Sequence, residues 1–522
     1  MPLPPDFEKN LWAAADLLRS NTGLEPAEYT QPVLALLFLK FADARFALHT
    51  QALAKKGRKN PDRDDYVAAR VPFLPENARY DWLVKVPDAG FTSGPHKGKR
   101  LGQLLDEAIR AIEKENPDLR GALPETFAKL DDTLLRNFLK RFGTIPDDVQ
   151  GDVFGRVYEY FLGEFAKLTL QKGGEFYTPV SVVRLIVEVL EPYEGRIYDP
   201  ACGSGGMFIQ SARMVEEHRR SVEELSIFGV EKRAQTLRLC KLNLAVYGLA
   251  GSVIEANSYY DAPHAKHGPF DYVMANPPFN DSGVDKVKAL KLGARYPFGA
   301  PSGDNANYLW IQHFYSALSA RGRAGFVMAN SASDARGKDQ EIRASLLETG
   351  CVDVMVSLTS NLFYTVTLPV TLWFLDRGKE GTKRADKVLF LDARGIFRQV
   401  DRAHRELEPA QVELLANVVR LYRGEKPEFL REGSRALFDA RFPEGRYRDI
   451  AGFCKVATRK EIAAQGGSLN PGRYVGVVAQ TVDDGEFRAR FEELHEELAA
   501  LNAEAHALEE TIDRNAERLL EE

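Results

Sequence analysis

The sequence predicts an α/β protein with a mostly parallel, doubly wound sheet, flanked by a helical N-terminal domain and a C-terminal coiled-coil helix. Between residues 149 and 400, short β-rich runs alternate with helical stretches, as in repeated βα units. Residues 1–148 show helical periodicity with few strand signals, and residues 485–522 repeat apolar side chains every three or four positions. Residues 401–484 form a mixed, arginine-rich extension between the last two of these segments.

The N-terminal domain is predicted to contain one fully buried helix. The stretch from Tyr29 to Phe46 is apolar nearly all round, which is typical of a helix that has no solvent-facing side. Two polar interruptions, Lys55–Asp65 and Phe91–Arg100, are predicted to be loops because they are rich in glycine, proline and charge.

Six runs in the central segment have the composition of strands. Each is rich in β-branched and aromatic residues, and in chain order they read RIYD, SIFGVE, DYVMAN, GRAGFVMAN, VDVMVSL and VTLWFLD. Because helical stretches alternate with them, we expect a parallel sheet with helices on both faces.

The composition excludes several classes of protein. Of 522 residues, 44% are hydrophobic and 28% are charged, which is typical of a globular chain and not of a disordered or fibrous one. The longest clean apolar run, Val33–Leu39, is far shorter than the ~20 residues of a membrane span, and no secretory leader opens the chain. Four cysteines in no paired spacing argue against a disulfide framework or a metal site. We expect a cytoplasmic protein without a bound metal.

The charge distribution leaves nucleic-acid binding open. The chain has a net charge of −6, which at first argues against it. Residues 485–522 contain twelve Asp/Glu and four Arg, a net charge of −8 that leaves +2 for the rest. A nearly neutral chain with an acidic tail is compatible with DNA binding through a small part of its surface. It is also compatible with a DNA-binding surface that is shared with a partner protein.

A glycine-rich turn is the first candidate binding site. The strand-like run that ends at Asp199 leads into Gly203, Ser204, Gly205 and Gly206, where a helix is expected to begin. Such a turn brings backbone N–H groups close to a ligand. It matches neither the dinucleotide pattern G-x-G-x-x-G nor a P-loop, so on its own it fits a simple corner of the chain as well.

Glu231 strengthens this site. It ends the next strand-like run, where a doubly wound fold places the acid that holds ribose hydroxyls. Alone it also suits an acid at a helix N-terminus, but with the turn it favours a nucleoside-binding site. Cys202, inside the turn, has no histidine nearby in the sequence to activate it, and we expect no nucleophilic role for it.

The second candidate site is Asn276-Pro277-Pro278-Phe279, which follows the strand-like run DYVMA. The two prolines prevent strand pairing and fix an extended loop at the carboxyl end of a strand, where ligands bind in such folds. The amide oxygen of the asparagine and the following carbonyl are two acceptors, and the aromatic ring offers a stacking surface. This set suits an exocyclic or amide –NH2 group that attacks an electrophile.

Together these residues resemble the S-adenosylmethionine-dependent amino-methyltransferases, whose hallmark is Asn-Pro-Pro-aromatic. The segment GEFYTP, residues 174–179, resembles the cofactor segment of adenine-N6 DNA methyltransferases. The N-terminal domain resembles that of the modification (M) subunits of type I restriction–modification systems. The stretches similar to that family are LWAAADLLRSNTGLEPAEYTQPVLALLFLKF, DVFGRVYEYFLGEFA, NYLWIQHF, LFYTVTLPVTLWFLD and LNPGRYV. The resemblance covers nearly the whole chain.

The resemblance implies a Rossmann-like methyltransferase domain that binds S-adenosyl-L-methionine and methylates adenine at N6 in double-stranded DNA. The target base would be flipped out of the duplex onto Asn276, Pro277 and Phe279, with Pro278 keeping the loop rigid. No strong general base is needed, because the amine loses its proton after attack. The cofactor residues implied are Glu175, Phe176, Tyr177, Thr178, Pro179, Val180, Asp199, Gly203, Ser204, Gly205, Gly206, Glu231 and Asn257.

The resemblance also implies partners. No recognisable target-reading motif follows the catalytic segment, so a separate specificity (S) subunit would read the DNA and bind two M subunits, and a restriction (R) subunit would join them. The tail 485–522 and the helical domain 1–148 are the candidate docking surfaces. The apolar seam of the tail, with Asn515 as its one polar position, fits a helical partner or a helix packed on its own chain.

The segment from Asn280 to Asn307 is a candidate DNA-contacting loop. It is long and glycine-rich, and it carries Lys286, Lys288, Lys291 and Arg295. Long loops of this kind are often functional, and four cations beside the catalytic loop suit phosphate contacts. A solvated surface loop explains them equally well.

Three alternatives remain open from the sequence. A protein methyltransferase acting on a glutamine amide uses the same Asn-Pro-Pro-aromatic logic on the same –NH2 geometry. Cytosine N4 is a second possible target within the DNA-modifying family. A non-catalytic subunit that only scaffolds a complex is the third, although intact Asn276, Glu231 and Gly203 argue against it.

Overall fold

The computed structural model describes residues 11–12, 26–58, 60–146, 157–158, 160–161, 163–165, 178–301, 305–363, 369–401, 404–477 and 495. The chain forms two compact units, Met1–Val475 and Gly476–Glu522. The architecture below is that of the first unit. The coiled-coil helix predicted over 485–522 lies outside the described residues except for His495.

The N-terminal part is helical, as predicted. Its longest helix contains the apolar stretch, in which every residue from Val33 to Leu39 is at most 1% exposed. A buried helix of this kind needs no polar face. The helices are α1 (Pro26–Lys55), α2 (Arg63–Ala68), α3 (Tyr80–Val84), α4 (Leu101–Glu115) and α5 (Asp132–Phe142).

One boundary differs from the sequence-based expectation. Helix α2 begins at Arg63, inside the predicted loop Lys55–Asp65. The side chain of Asp62 accepts hydrogen bonds from the N–H groups of Asp64 and Asp65, at 3.0 and 3.3 Å. This cap starts a helix in a stretch whose composition indicates a loop. The second predicted loop, Phe91–Arg100, contains no helix.

A single sheet of nine strands dominates the rest of the described chain. The six predicted runs are all strands of this sheet, and three further strands complete it. The strands are β1 (Gly195–Asp199), β2 (Leu225–Glu231), β3 (Gly251–Glu255), β4 (Phe270–Ala275), β5 (Leu318–Ala329), β6 (Val352–Ser357), β7 (Val370–Asp376), β8 (Lys387–Asp392) and β11 (Cys454–Thr458), while β9 (Arg398–Gln399) and β10 (Arg405–Glu406) form a separate ribbon.

The sheet is mostly parallel, in the order β11-β8-β6-β7-β5-β4-β1-β2-β3. Strand β7 runs antiparallel to β5 and β6, and β11 runs antiparallel to β8. The 401–484 segment thus adds an edge strand to the central sheet. The predicted α/β fold with a doubly wound sheet is confirmed.

Helices cover both faces of the sheet. They are α6 (Val180–Leu190), α7 (Gly206–Glu217), α8 (Ala234–Val246), α9 (Lys286–Leu290), α10 (Asn307–Ala317), α11 (Lys338–Glu348), α12 (Pro409–Arg423), α13 (Ser434–Asp439) and α14 (Arg459–Ala464). Short 3-10 turns lie at Glu76–Ala78, Pro117–Leu119, Phe127–Lys129, Val222–Glu224, Gly293–Arg295, Asn330–Asp334, Arg377–Lys379 and Pro471–Arg473. Among the helices described here, none has the length and apolar content to span a membrane.

Alternation along the strands separates two cores. In β5, Val327 and Ala329 belong to the core that includes α6, α7 and α12, whereas Phe326 and Met328 belong to the core that includes α10 and α11. Successive side chains of a strand point to opposite faces, so β5 contributes to both cores.

Helix α8 connects the two parts of the first unit. Leu242 and Val246 on this helix belong to the hydrophobic core of the N-terminal helices. Cys240 on the same helix belongs to the core that includes α6, α7 and α12. The Nζ of Lys241 donates to the carbonyl of Arg120 at 3.1 Å. The helical part is therefore packed directly against the helix that follows β2.

The parallel strands place their carboxyl ends along one edge. Asp199 is level with Gly229, and Glu231 is level with Glu255. Strand β4 is hydrogen-bonded to β1 on the other side. The segments that follow β1, β2, β3 and β4 therefore meet at this edge, which is where doubly wound folds bind ligands.

Candidate active site

The glycine-rich turn after β1 is a tight backbone cradle. Gly203 and Gly205 have φ angles of +53° and +85°, in the left-handed region that favours glycine. A Cβ on Gly205 would lie 2.9 Å from the Sγ of Cys240, whereas a Cβ on Gly203 or Gly206 would meet no atom within 4 Å. The turn is thus packed against α8 on one side and open on the other, as a ligand-binding turn requires.

Asp199 is buried at the start of this turn. One carboxyl oxygen accepts a hydrogen bond from the N–H of Ala201 at 2.9 Å. Burial raises the pKa of Asp199 well above its usual range, and the nearby charge of Glu231 raises it further. A cationic ligand group in the turn would favour the ionised carboxylate.

Glu231 braces the turn. One carboxylate oxygen accepts from the N–H of Gly203 at 3.1 Å, and the other accepts from the N–H of Arg233 at 2.8 Å. The sequence predicts a ribose-binding role for Glu231. The geometry adds a second role, because this carboxylate fixes the orientation of the first glycine of the turn. Each carboxylate oxygen has further lone-pair capacity for a hydroxyl donor.

Cys202 is packed beneath the turn. Its Sγ lies 4.0 Å from that of Cys240. This contact and its burial raise the pKa of the Cys202 thiol well above the usual range. A buried protonated thiol is a poor nucleophile, in agreement with the expectation from the sequence.

Two further contacts hold the glycine-rich turn and the loop after β3. The Nδ2 of buried Asn243, on α8, donates to the carbonyl of Ser204 at 2.7 Å. The hydroxyl of Ser258 donates to the carbonyl of Pro200 at 2.6 Å, which ties the loop after β3 to the loop after β1. Sequence reasoning missed both residues, because isolated polar residues carry no motif.

Asn257 lies in the loop after β3 and is half-buried. Its side-chain oxygen accepts from the N–H of Tyr259 at 3.1 Å, and its own N–H donates to Asp261 at 2.9 Å. The side chain therefore forms a local turn. Its predicted contact with the adenine of the cofactor stays a prediction.

The catalytic candidate Asn276 follows β4, and only one of the two polar atoms of its amide has a hydrogen-bond partner among the described residues. Its Nδ2 donates to the Oγ1 of Thr178 at 2.7 Å. Its Oδ1 is buried and accepts from no donor among the described residues. Buried polar atoms are nearly always hydrogen-bonded, so an unpartnered buried acceptor beside the glycine-rich turn indicates a place for a ligand donor.

The other residues of the Asn-Pro-Pro-Phe loop differ in exposure. Pro277 is buried and Pro278 is exposed. The side chain of Phe279 is 7% exposed and belongs to the core on the α6 side of the sheet. The stacking role predicted for Phe279 is not visible in this packing, and it stays a prediction.

The GEFYTP segment meets the catalytic loop through its described residues. Thr178 contacts Asn276, and Pro179 precedes Val180, the exposed first residue of α6. Glu175, Phe176 and Tyr177 lie outside the described residues. The Thr178 contact joins two segments that are 98 residues apart in the sequence.

The cationic segment after the loop is more ordered than the sequence suggested. It contains the five-residue helix α9, capped by Asp285, whose carboxylate accepts from the N–H of Lys288 at 2.9 Å. The prediction of a loop was therefore wrong over Lys286–Leu290, which is helical. Such a short helix has too few residues to show a periodic pattern, and its side-chain cap supplies part of its stability.

Three of its four cations contact other groups. Arg295 donates to the carbonyls of Ser258 and Asp261. The Nζ of Lys288 lies 4.4 Å from the centre of the Tyr260 ring, and Lys286 donates to the carbonyl of Pro301 at 3.3 Å. Lys291 is exposed. We therefore expect Arg295 to hold the segment in place and Lys291 to be available for phosphate.

Comparison with protein families identifies the chain. Residues 149–483 match the family described as N-6 DNA Methylase, and residues 7–142 match the HsdM N-terminal domain. The first match spans the nine-stranded sheet with both candidate loops, and the second spans the N-terminal helices α1 to α5.

Individual relatives agree with these matches. The type I restriction enzyme MjaIX methylase subunit of Methanocaldococcus jannaschii is 35% identical over 98% of this chain and 91% of its own length. The HindI methylase subunit of Haemophilus influenzae is 34% identical over 85% of this chain and 98% of its own length.

The fold also agrees with a solved structure. The type I restriction-modification system methyltransferase subunit from Streptococcus thermophilus superposes with a TM-score of 0.71, at 21% identity, over 91% of this chain and 99% of that one. The family resemblance predicted from the motifs is confirmed. The chain belongs to the N-6 DNA methylase family and is a methylase subunit of the type I restriction–modification class.

Proposed function

We propose that this chain transfers a methyl group from S-adenosylmethionine to the N6 atom of an adenine flipped out of double-stranded DNA. The observation that carries the proposal is the unpartnered, buried Oδ1 of Asn276, at the same sheet edge as the open glycine-rich turn. Family membership as an N-6 DNA methylase supports the choice of adenine.

The amide of Asn276 is oriented for one task. Because its Nδ2 is held by Thr178, its Oδ1 is left to accept a hydrogen bond. The carbonyl of Pro277 is the second acceptor in our proposal. When the amino group of the target base donates one hydrogen to each acceptor, its lone pair is directed away from the aromatic ring of that base. The nitrogen then becomes a better nucleophile.

The residues that fit the cofactor line the turn. Glu231 suits the ribose hydroxyls, Asp199 suits the amino group of the methionine part, and the open faces of Gly203 and Gly206 admit a backbone-close ligand. When bound, S-adenosylmethionine supplies an electrophilic methyl group on a sulfonium. The predicted contacts of Glu175, Phe176, Tyr177, Thr178, Pro179, Val180, Ser204, Gly205 and Asn257 complete the proposed site.

Proton release needs no charged base on this account. Among the described residues, the side chain of Asn276 donates a hydrogen bond to the hydroxyl of Thr178, and its Oδ1 accepts none. The amino nitrogen becomes acidic only as its new bond forms. The neutral acceptors Oδ1 and the Pro277 carbonyl then hold its hydrogens until one passes to water.

Base flipping follows from access. The amino group of adenine is paired and stacked inside the duplex, so an enzyme reaches it only by extruding the nucleotide. Flipping costs a few kcal/mol, and we propose that Phe279 restores part of this by stacking on the base. That role requires the ring to become accessible from its present buried position.

The test is to identify the methylated product. The complex assembled with its partner subunits would be incubated with labelled S-adenosylmethionine and DNA that carries its target site, located by single-molecule methylation sequencing of the host genome. Digestion to nucleosides and mass spectrometry should show N6-methyladenine. N4-methylcytosine, or label in protein glutamine without label in DNA, would contradict the proposal.

We also propose that target recognition lies in a separate specificity subunit, that two copies of this chain bind it, and that a restriction subunit joins the assembly. The apolar seam of residues 485–522 and the helical N-terminal part are the proposed docking surfaces. The relatives are described as subunits of restriction enzymes, which supports partnership in general. The cytoplasmic location stays a prediction.

Truncation tests the docking surface. A chain that ends at Asp484 should lose the specificity subunit in co-purification while it keeps its affinity for S-adenosylmethionine, because the glycine-rich turn lies in the other unit. Unchanged co-purification would contradict the role proposed for the tail.

A further inference from the structure

The catalytic loop is held at both of its ends. At the first end, Asn276 is joined to Thr178. At the second end, the residue that follows Phe279 is Asn280, with φ of +59°, in the left-handed region that asparagine tolerates. Between the two ends, Pro277 and Pro278 restrict the backbone, so the position of the loop depends on these two anchors.

The second anchor is a reciprocal pair of amides. The N–H of Asn280 donates to the Oδ1 of Asn307 at 2.8 Å, and the Nδ2 of Asn307 donates to the Oδ1 of Asn280 at 3.0 Å. The two residues are 27 positions apart in the sequence. This pairing fixes both the backbone and the side chain of Asn280.

Asn307 is itself firmly placed. It is 3% exposed and is the first residue of α10, whose next seven residues are also buried. Its N–H donates to the Oδ1 of Asn305 at 3.2 Å, and the neighbouring N–H of Ala306 donates to the carbonyl of Asp281 at 3.0 Å. The anchor is therefore built on a buried helix, and the loop is the part that is held.

We infer that Asn307 is a positioning residue for methyl transfer: through Asn280 it holds the Asn276 and Pro277 acceptors where the amino group must lie. This inference rests on the proposed function. A helix-borne amide that fixes the far end of the loop gives the acceptors a constant position before substrate arrives. Displacement of reacting groups by about 1 Å lowers rates by about 10²-fold.

The test compares variants in the single-turnover methyl-transfer rate at saturating cofactor and DNA. Asn307→Ala removes both hydrogen bonds to Asn280 and should lower the rate by about 10²-fold, with the dissociation constant for S-adenosylmethionine changed less than about twofold. Asn307→Asp keeps an acceptor for the N–H of Asn280 and should recover most of the rate.

Two variants of the partner separate the side chain from the backbone. Asn280→Gly keeps the left-handed backbone but loses the side-chain acceptor, and Asn280→Ala loses both. The rate should fall in the order wild type, Asn280→Gly, Asn280→Ala.

Asn417, on α12, provides a buried-asparagine control outside the candidate site, and its Oδ1 also accepts from Arg420 at 3.0 Å. It is fully buried on α12, its Nδ2 donates to the carbonyl of Glu428 at 2.6 Å, and its Oδ1 accepts from the N–H of Glu428 at 2.9 Å. Asn417→Ala should lower the melting temperature as much as Asn307→Ala while leaving the methyl-transfer rate unchanged.

The outcomes are distinct. A wild-type rate for Asn307→Ala would overturn the positioning role. So would a loss of rate and of cofactor affinity in Asn417→Ala that equals the loss in Asn307→Ala. If Asn276→Ala retained full methyl transfer, the catalytic role of Asn276, on which this inference rests, would fail instead, whereas a wild-type complex that forms no N6-methyladenine would refute the proposed function itself. Loss of transfer in Asn276→Ala together with a wild-type rate in Asn307→Ala would contradict only the role of Asn307.

Discussion

The glycine-rich turn and the Asn-Pro-Pro-Phe loop lie at the same sheet edge, but they differ in how their polar groups are satisfied. In the turn, the N–H of Gly203 is held by Glu231 and the carbonyl of Ser204 by Asn243. In the loop, the Oδ1 of Asn276 is buried without a donor among the described residues. The two backbone groups of the turn are thus hydrogen-bonded in the free chain, although the buried Oδ1 of Asn243 beside them accepts from no donor among the described residues. The acceptor of the loop is the Oδ1 of Asn276, which we expect to be satisfied only with an amino group in place.

This difference has an energetic consequence. A buried acceptor without a donor costs about 1–3 kcal/mol, and a bound amino group recovers that free energy. In the turn, the N–H of Gly203 and the carbonyl of Ser204 already have partners, so they gain no such free energy from an amino group. We therefore expect substitutions in the turn to affect cofactor affinity, and substitutions in the loop to affect the rate of methyl transfer.

The largest effect is expected for Asn276→Ala. Loss of the amide removes one of the two proposed acceptors, and the single-turnover rate should fall by about 10³-fold, similar to the loss of a hydrogen-bonding group at a transition state. Calorimetry should give an unchanged affinity for S-adenosylmethionine. A parallel loss of affinity would show that the two regions are not separable.

Gly205→Ala should have the converse effect. Its Cβ would lie 2.9 Å from the Sγ of Cys240 at a φ of +85°, so the turn must shift, and cofactor affinity should fall by about 10²-fold in calorimetry. Gly203→Ala, which meets no atom within 4 Å, should lose less. The double variant Gly205→Ala/Cys240→Ala should regain affinity; no recovery would show that steric contact is not the cause.

The pH dependence of cofactor binding should follow Asp199. Burial, with the Glu231 charge, raises the pKa of Asp199 well above its usual range. A cationic ligand lowers that pKa, so binding releases a proton and affinity rises with pH through the raised pKa of the free protein. The same raised pKa also affects the stability of the free protein. Stability should fall as pH rises from the pKa of Asp199 in the unfolded chain, about 3.9, through its raised pKa in the folded chain, because the folded state binds the proton more tightly.

Calorimetry in two buffers with different enthalpies of ionisation measures this proton release. Asp199→Asn should abolish both the release and the pH dependence of affinity. An affinity independent of pH in the wild type would contradict the assignment of Asp199 to the cationic end of the cofactor.

The smallest effect is expected at Lys291. This lysine is exposed in the segment after the catalytic loop, and Lys291→Ala should weaken DNA binding a few-fold, with a salt slope smaller by about one. Lys129→Ala, an exposed lysine of the N-terminal part, serves as the control. Equal salt slopes for wild type and Lys291→Ala would indicate a solvated surface role.

How far the sequence predicts this molecule depends on the range of the interactions. Six of the nine strands of the sheet, the turn after Asp199 and the loop at Asn276 were predictable, because local composition and a strand-end position determine them. The contact of Thr178 with Asn276 and the pair Asn280–Asn307 were not. They join residues 98 and 27 positions apart, and single polar residues give no periodic signal.

The antiparallel strands β7 and β11 show the same limit. The composition of β7 indicates a strand, whereas β11 lies in the segment 401–484, where no strand was predicted. For both, direction depends on the strand with which each is paired, and the tertiary fold determines that pairing. Helix α9 was missed for the opposite reason: its cap at Asp285 is local, but five residues are too few to reveal a helical period.

The central claim is that the Oδ1 of Asn276 receives the amino group of the target adenine. A double-mutant cycle tests it: wild type and Asn276→Ala, each binding DNA with adenine or with purine, which lacks the amino group, at the target position, with S-adenosylhomocysteine present. Differences in base pairing cancel in the cycle. The account predicts that Asn276→Ala reduces the preference for adenine over purine by about tenfold. The same preference in both proteins would contradict it.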